Sequence, residues 1–289
     1  MQNTLSRSRS KKVRKTRRAF QIGSVDPLTA IFLAAVLVFG GAGSNSPLAN
    51  AGIVLLGLAV CFARIPSVEW PKLDKGARCI AYLFIASIGL CLLQILPLPR
   101  GLWGGLPGHE LAALIGTAVG GTGWMAWSVS PDRTLEALTA LVPPAAGFLI
   151  ALQASAEQRR DILRFILLMA LVSAMLAILQ LSAGPGAAPV LFDTRHRGFG
   201  VGLFVNRNHL ALFLLLAILI ASLPGITGRG KKEKSSRSVE WGLRSACLLL
   251  LSLGVLATLS RTGAFLLPIT IIASILINRR NKFKWRTVV

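Results

Sequence analysis

Long apolar runs alternate with short polar stretches along almost the whole chain, and that alternation decides what it can fold into. Eight apolar segments stand out, at about Leu28–Ala42, Leu48–Ala63, Cys79–Leu96, Leu135–Gln153, Ile162–Leu181, Leu210–Leu223, Ser245–Leu259 and Gly263–Ile277. They predict membrane-spanning helices. Strands of a barrel would instead alternate apolar and polar residues at period two over about ten positions. The expected class is all-α, a polytopic helical bundle of about eight transmembrane helices. With 53% hydrophobic and 15% charged residues, the chain is too apolar for a soluble domain of its length. Several segments fall short of the roughly 20 residues of an untilted span, so their helices extend into flanking residues or these snorkel to the interface.

The last two segments need an argument. Ala246–Ile277 is one apolar run with a single charge, Arg261, near its centre. A single helix of that length would be about 48 Å long, against a hydrocarbon core of about 30 Å. A hairpin at Arg261 resolves the excess and returns the basic NRRNKFKWR end to the side where the chain began.

Charge then fixes direction. With the N-terminus inside, 26 of the 32 Lys and Arg residues fall in inside segments. The six outside are Arg100, Arg133, Arg195, Arg197, Arg207 and Arg261. Basic residues are retained on the cytoplasmic side, so both termini are expected there. The net charge of +21 is read as this topology signal and as attraction to anionic lipid, not as nucleic-acid binding. Trp70, Trp241 and Trp285 on one side, and Trp103, Trp124 and Trp127 on the other, fit interfacial belts.

The expected layout is a basic cytoplasmic tail over 1–26, a transmembrane domain over 27–278 and a second basic tail over 279–289. Periplasmic loops lie near 97–134 and 182–209, and a basic cytoplasmic loop lies over 224–244. The tail SRSRSKKVRKTRR (Ser6–Arg18) resembles the start of a signal peptide, but no convincing cleavage site follows. It is read as leading into a retained first helix. Cys61, Cys79, Cys91 and Cys247 lie in or beside apolar segments without zinc-type spacing, so free thiols and no metal site are expected. Within the first outer loop, Gly108–Gly121 reads as a short interfacial helix, with His109 and Glu110 solvated. Gln94, Gln153 and Gln180 read as interhelical hydrogen-bonding groups.

Outer loops are normally poor in Arg. The loop TRHRGFGVGLFVNRNHLA (Thr194–Ala211) is rich in it, and a helix begins near its end. Asn206 or Asn208 can cap that helix, helix N-termini attract anions, arginine recognises phosphate bidentately, and glycine allows close backbone approach. On spacing alone, two readings stand. One is a phosphate or pyrophosphate site built from Arg195, Arg197 and Arg207, with Gly198, Gly200, Asn206, Asn208 and His209 in support. The other is a flexible loop whose arginines touch lipid headgroups. Arg261, in LSRTG, sits at a depth where charge is costly. It either snorkels or supplies a second anion-binding arginine.

Four stretches together resemble the O-antigen ligase and polymerase family of bacterial envelope glycan enzymes. They are QILPLPRGLWGGLPG (Gln94–Gly108), WSVSPDRTLEAL (Trp127–Leu138), RGFGVGLFVNRNHLALFL (Arg197–Leu214) and TLSRTGAFL (Thr258–Leu266). The third is the most specific. The resemblance implies an inner-membrane glycosyltransferase, independent of metal and cofactor, that takes a glycan from undecaprenyl pyrophosphate on the periplasmic face. The acceptor would be a lipid A–core sugar or similar group. It further implies that Arg197 and Arg261, with Arg195 and Arg207, engage the pyrophosphate, so that Arg197 and Arg261 approach one another in the fold.

Family members usually continue past the SRTG hairpin into a large periplasmic loop carrying a functional His segment and a further Arg. His196 and His209 do not match that place. The resemblance therefore implies a truncated or split member, or one complemented by a second polypeptide. A non-catalytic subunit that binds a lipid-linked glycan is the alternative. A transporter ranks third, since no repeated halves are apparent.

Overall fold

The structure is a computed structural model that describes residues 25–43, 46–118, 120, 123–187, 189–227 and 237–286. The basic segment Ser6–Arg18 and most of the polar run between the sixth and seventh segments lie outside the described residues.

The described elements are α1 (Pro27–Phe39), α2 (Pro47–Arg64), α3 (Lys75–Ile95), β1 (Pro97–Pro99), α4 (Arg100–Trp103), α5 (Glu110–Ala118), β2 (Trp124–Ala126), α6 (Pro131–Ala140), α7 (Val142–Gln153), α8 (Ala156–Ala187), α9 (Arg207–Ala221), α10 (Arg237–Ala257) and α11 (Arg261–Arg286). Among the described residues, five helices are long and apolar enough to cross a membrane: Pro47–Ser67, Lys75–Ile95, Pro131–Gln153, Ala156–Pro185 and Val239–Ala257. Pro27–Phe39, Arg207–Ala221 and Arg261–Ile277 are apolar but shorter. The chain is thus a helical, membrane-associated protein.

Caps set several helix starts. Asp26 accepts from the Thr29 backbone N–H at 3.0 Å with Pro27 at the first helical position, and Asp74 accepts from the Ala77 N–H at 2.7 Å. The Asp74 cap starts α3 ahead of the Cys79 expected from hydropathy. The C-terminal helix also outruns its expected end: α11 continues through Arg286, so residues 279–286 form helix where a tail is expected. Lys, Arg and Asn there include good helix formers, with no Gly or Pro to stop the helix.

The chain divides into two compact units. The second unit, Ala51–Gln153, contains most of α2 and all of α3 to α7. Its short β1–β2 hairpin is antiparallel, with Leu98 opposite Met125. At the far end, Gln153 and Arg64 join α7 to α2: Arg64 Nη1 donates to Gln153 Oε1 at 3.2 Å, and Gln153 Nε2 donates to Arg64 O at 2.8 Å. That is the interhelical role expected of Gln153.

The first unit, Met1–Asn50 with Ala154–Val289, is built around α9. This helix is apolar on all sides and packs against α8, α10 and α11. Leu210, Leu214 and Ile218 of α9 are fully buried with Ala170, Ala174 and Ala177 of α8 and Leu251 of α10. Small residues set the helix spacing. A Cβ on Gly254 would lie 2.6 Å from Ala174 Cβ, and one on Gly263 would lie 2.8 Å from Ala211 Cβ. Close approach of this kind suits helices in lipid, where association rests on packing rather than on water exclusion. All four cysteines are free thiols, as expected, with Cys247 buried and Cys79 exposed.

Candidate functional site

The arginine-bearing loop of the first unit is not draped over the surface. The α8 backbone breaks at Gly184, whose φ of 75° and ψ of 178° precede Pro185. The returning chain then descends along α8. Val201 N–H and Gly202 N–H donate to Gln180 Oε1 at 2.8 and 2.7 Å, and Leu203 N–H donates to Ser173 Oγ at 3.1 Å. Ser173, Ala177 and Gln180 form one stripe of the helix. Ser173 lies about 16 Å below Gly184 at 1.5 Å per residue.

The remaining amides are also committed. Phe199 N–H donates to His196 O, Gly200 N–H to Ala257 O at 3.0 Å, Phe204 N–H to Val201 O, and Val205 N–H to Gly41 O at 2.9 Å. Every backbone N–H from Phe199 to Val205 therefore has a protein partner. Irregular backbone can sit at membrane depth only when it is satisfied in this way. The descent also explains why α9 is short: the loop occupies the length that another turn or two of helix would fill.

These bonds correct one expectation. Gly200 does not leave its backbone open to a ligand, because its N–H is held by Ala257 O. Its missing side chain serves packing instead. A Cβ there would lie 2.8 Å from both Ala177 O and Ala257 O, and one on Gly202 would strike Ser173 Oγ. Gly198, at φ 88°, packs against Pro185, where a Cβ would lie 3.1 Å from Cγ.

Two helix N-termini meet at the foot of this loop. Asn206 caps α9 by accepting from the Asn208 N–H at 2.9 Å, as expected. Ser260 caps α11: Oγ accepts from Gly263 N–H at 3.2 Å and Ser260 O from Ala264 N–H at 2.9 Å. The two caps are joined, since Ser260 Oγ donates to Asn208 Oδ1 at 2.8 Å. Each cap is followed at the first helical position by an arginine, Arg207 in α9 and Arg261 in α11. This is the reverse of the usual preference, because the positive end of a helix dipole favours acidic neighbours.

The arginines are held differently. Arg207 is fixed: its Nη1 donates to Leu259 O at 3.3 Å, and its guanidinium carbon lies 4.1 Å from the centre of the Phe199 ring. Its Nε is buried without a partner among the described residues. Leu259 adopts φ 49°, a conformation that costs a residue of this kind about 1–3 kcal/mol. That conformation forms the tight tip between α10 and α11, where Leu259 O receives Arg207. Arg197 makes only a loose pair with Asp193, at 3.4 Å with both side chains largely exposed, so the pair contributes little. Arg195, Arg261 and His209 are exposed, and none hydrogen-bonds or ion-pairs among the described residues. Arg197 and Arg261 make no direct contact. The loop carrying Arg197 is bound to the hairpin carrying Arg261 through Gly200–Ala257, Arg207–Leu259 and Asn208–Ser260.

The opposite end of α9 gives a contrast. There Arg164 Nη2 donates to Gly225 O at 2.8 Å, and Arg244 Nη2 donates to Ser222 O. Those cations sit at carbonyls beyond a helix C-terminus, where the dipole favours them. At the N-terminal end Arg207 and Arg261 instead occupy the first helical positions, where the dipole disfavours cations. Among the described residues no group of three His, Cys, Asp or Glu side chains is placed to hold a metal ion.

Gln180 and Ser173 are loop-holding residues that hydropathy does not reveal. Gln180 bonds the loop backbone rather than another helix, as Pro189 O and Gly202 O accept from its Nε2. In the second unit, His109 departs from expectation. It is buried, with Nε2 2.8 Å from Trp127 O and its ring edge-on to Trp103 at 4.8 Å. Trp103 Nε1 in turn donates to Ala126 O at 2.7 Å. These contacts bind the segment before α5 to the β2 strand and remove the imidazole from solvent. Glu110 is exposed, as expected.

No protein-family model, curated protein or solved structure matches the chain.

Proposed function

We propose that this chain is an O-antigen ligase-like envelope glycan protein that binds a glycan on undecaprenyl pyrophosphate at the periplasmic face of the inner membrane. It transfers that glycan to a lipid A–core sugar or a similar acceptor, or assists the transfer. One observation carries the reading. Two capped helix N-termini, each with arginine at its first position, are joined by the Asn208–Ser260 hydrogen bond. Two dipole ends and two guanidinium groups of the same sign repel. Their juxtaposition is stabilised when a multiply charged anion lies between or beside them, and a pyrophosphate offers that charge with bidentate geometry for arginine.

The resemblance adds to this. The stretches Arg197–Leu214 and Thr258–Leu266 are distant in sequence yet share the Arg207–Leu259 and Asn208–Ser260 contacts. The stretches Gln94–Gly108 and Trp127–Leu138 pair in the same way, with Ser128 N–H donating to Gln94 O at 2.8 Å and Trp127 N–H to Leu96 O at 3.0 Å. In a transfer step, the bond from the anomeric carbon to the pyrophosphate oxygen breaks and its electron pair stays on the leaving group. The acceptor hydroxyl forms the new bond and releases its proton. Cationic donors that stabilise the departing charge remove the need to protonate it. Arg261, Arg197 and Arg195 are the exposed donors, and Arg207 is the one held by the protein.

Direct binding tests the reading. Reconstituted protein is expected to retain farnesyl pyrophosphate far more tightly than farnesol, with no added metal. Equal retention of the two would defeat a pyrophosphate site. Supplying a lipid-linked glycan and an acceptor then separates transfer from binding alone.

The topology belongs to the same proposal: eight spans, both termini cytoplasmic, and the loop and hairpin tip periplasmic. The 26-to-6 division of basic residues supports it. Reporter fusions at Lys232, at Gly200 and at the C-terminus should read inside, outside and inside. An external C-terminus would refute the hairpin at Arg261.

A further inference from the structure

We propose that Gln180 is the positioning residue of the arginine loop: its single buried carboxamide closes the base of the loop and so sets where Arg195 and Arg197 stand. The inference rests on the anion-binding reading above for its functional consequence, but not for its geometry. Gln180 is 0% exposed. A carboxamide has two N–H donors and an oxygen with two lone pairs. Here all are used, and all by one loop. Nε2 donates to Pro189 O at 2.8 Å and Gly202 O at 3.1 Å, while Oε1 accepts from Val201 N–H at 2.8 Å and Gly202 N–H at 2.7 Å.

Pro189 lies on the outgoing limb of the loop and Val201–Gly202 on the returning limb. Gln180 therefore ties the two limbs together beneath the crown that carries Asp193, Arg195 and Arg197, as the neck of an Ω-loop is tied. Thr194 holds the crown from the other side, its Oγ1 donating to Val205 O at 2.6 Å. No other side chain replaces this pattern. Leucine offers no polar group. An ionised glutamate keeps the two acceptor contacts but turns an anionic oxygen toward two carbonyls. A protonated glutamic acid keeps both acceptor contacts and donates to one carbonyl.

The test uses the full chain in lipid nanodiscs, with Gln180→Leu and Gln180→Glu. Two quantities are read: the rate of tryptic cleavage after Arg195 and Arg197, and the affinity for farnesyl pyrophosphate. Each is taken relative to the parent protein at the same pH. Gln180→Leu is expected to be cut at least about tenfold faster and to bind at least about tenfold more weakly, with helicity and monodispersity retained. Gln180→Glu loses at least one of the two N–H donors and should also be cut faster than the parent. Should Gln180→Leu fail to fold, Gln180→Glu decides alone. Parent-like cleavage in either folded variant overturns the proposal. Failure of the parent itself to bind farnesyl pyrophosphate would refute the anion-binding reading, while the cleavage measurements would still judge the role of Gln180.

Discussion

Arg261→Ala is expected to weaken binding of an isoprenyl pyrophosphate by about ten- to a hundredfold, the range set by a charge-assisted contact of roughly 1.5–3 kcal/mol. Arg261 is exposed at the first position of α11 and has no partner to release among the described residues, so the loss reports the ligand contact itself. Arg197→Ala should fall in the same range, because its loose pair with Asp193 at 3.4 Å holds it only weakly. Arg207→Ala should cost at least as much and for a second reason. It removes the donor to Leu259 O and the cation over Phe199, and so loosens the joint between loop and hairpin. Arg→Lys at 197 or 261 should restore affinity only partly, since the planar fork is lost. Arg133→Ala should change little, as Arg133 is an exposed residue paired with Glu136 one turn away on α6. Isothermal titration or a filter assay with labelled farnesyl pyrophosphate measures all of these. Equal losses at 133, 197, 207 and 261 would mean general attraction to headgroups and would defeat the site.

The second large effect concerns Gly200. Adding a single methyl group places a carbon 2.8 Å from Ala177 O on one side and 2.8 Å from Ala257 O on the other. Both are backbone atoms of packed helices, so neither can rotate away. Gly200→Ala is expected to destabilise the protein by about 1–3 kcal/mol, and Gly200→Val by more. The loop should lift from α8 and become a trypsin substrate. Gly89→Ala supplies the opposite expectation. Nothing lies within 4 Å of a Cβ at that helical position, so the change should stabilise by up to about 1 kcal/mol. Thermal unfolding in detergent distinguishes the two, and a Gly200→Ala midpoint at or above the parent's would refute the wedge between α8 and α10.

The apolar helices were legible in the sequence because hydropathy is a local property. The apolar segments are largely helical, although Leu135–Gln153 is divided between α6 and α7, and Asp26 and Asn206 cap the helices they precede. The candidate arginines were legible too, as a cluster of cations within one glycine-rich stretch. The loop's path was not. It depends on contacts between residues far apart in the chain: Leu203 with Ser173, Val205 with Gly41, and Gly200 with Ala257. No window of neighbouring residues contains those pairs. The same limit explains His109, whose burial depends on Trp127. One signal was present and unused. Asn206-Arg207-Asn208 and Ser260-Arg261-Thr262 share one pattern, a capping residue, an arginine and a polar residue, at the start of an apolar run. Two such starts in one chain point to paired helix ends more sharply than the glycines do.

The first unit is interrupted in sequence: residues up to Asn50 belong to it, and its remainder begins only at Ala154. This has a consequence for biogenesis. As the chain leaves the ribosome, Gly41 emerges long before Val205, the residue whose amide its carbonyl accepts. The Gln180 and Ser173 bonds close earlier in assembly, since their partners follow within about one helix and a loop. The hairpin comes last, and until it arrives Asn208 Oδ1 lacks its donor and Arg207 lacks Leu259 O. A nascent chain therefore folds its loop first and gains its second arginine afterwards. The completed joint between loop and hairpin marks a chain whose insertion has reached the start of α11.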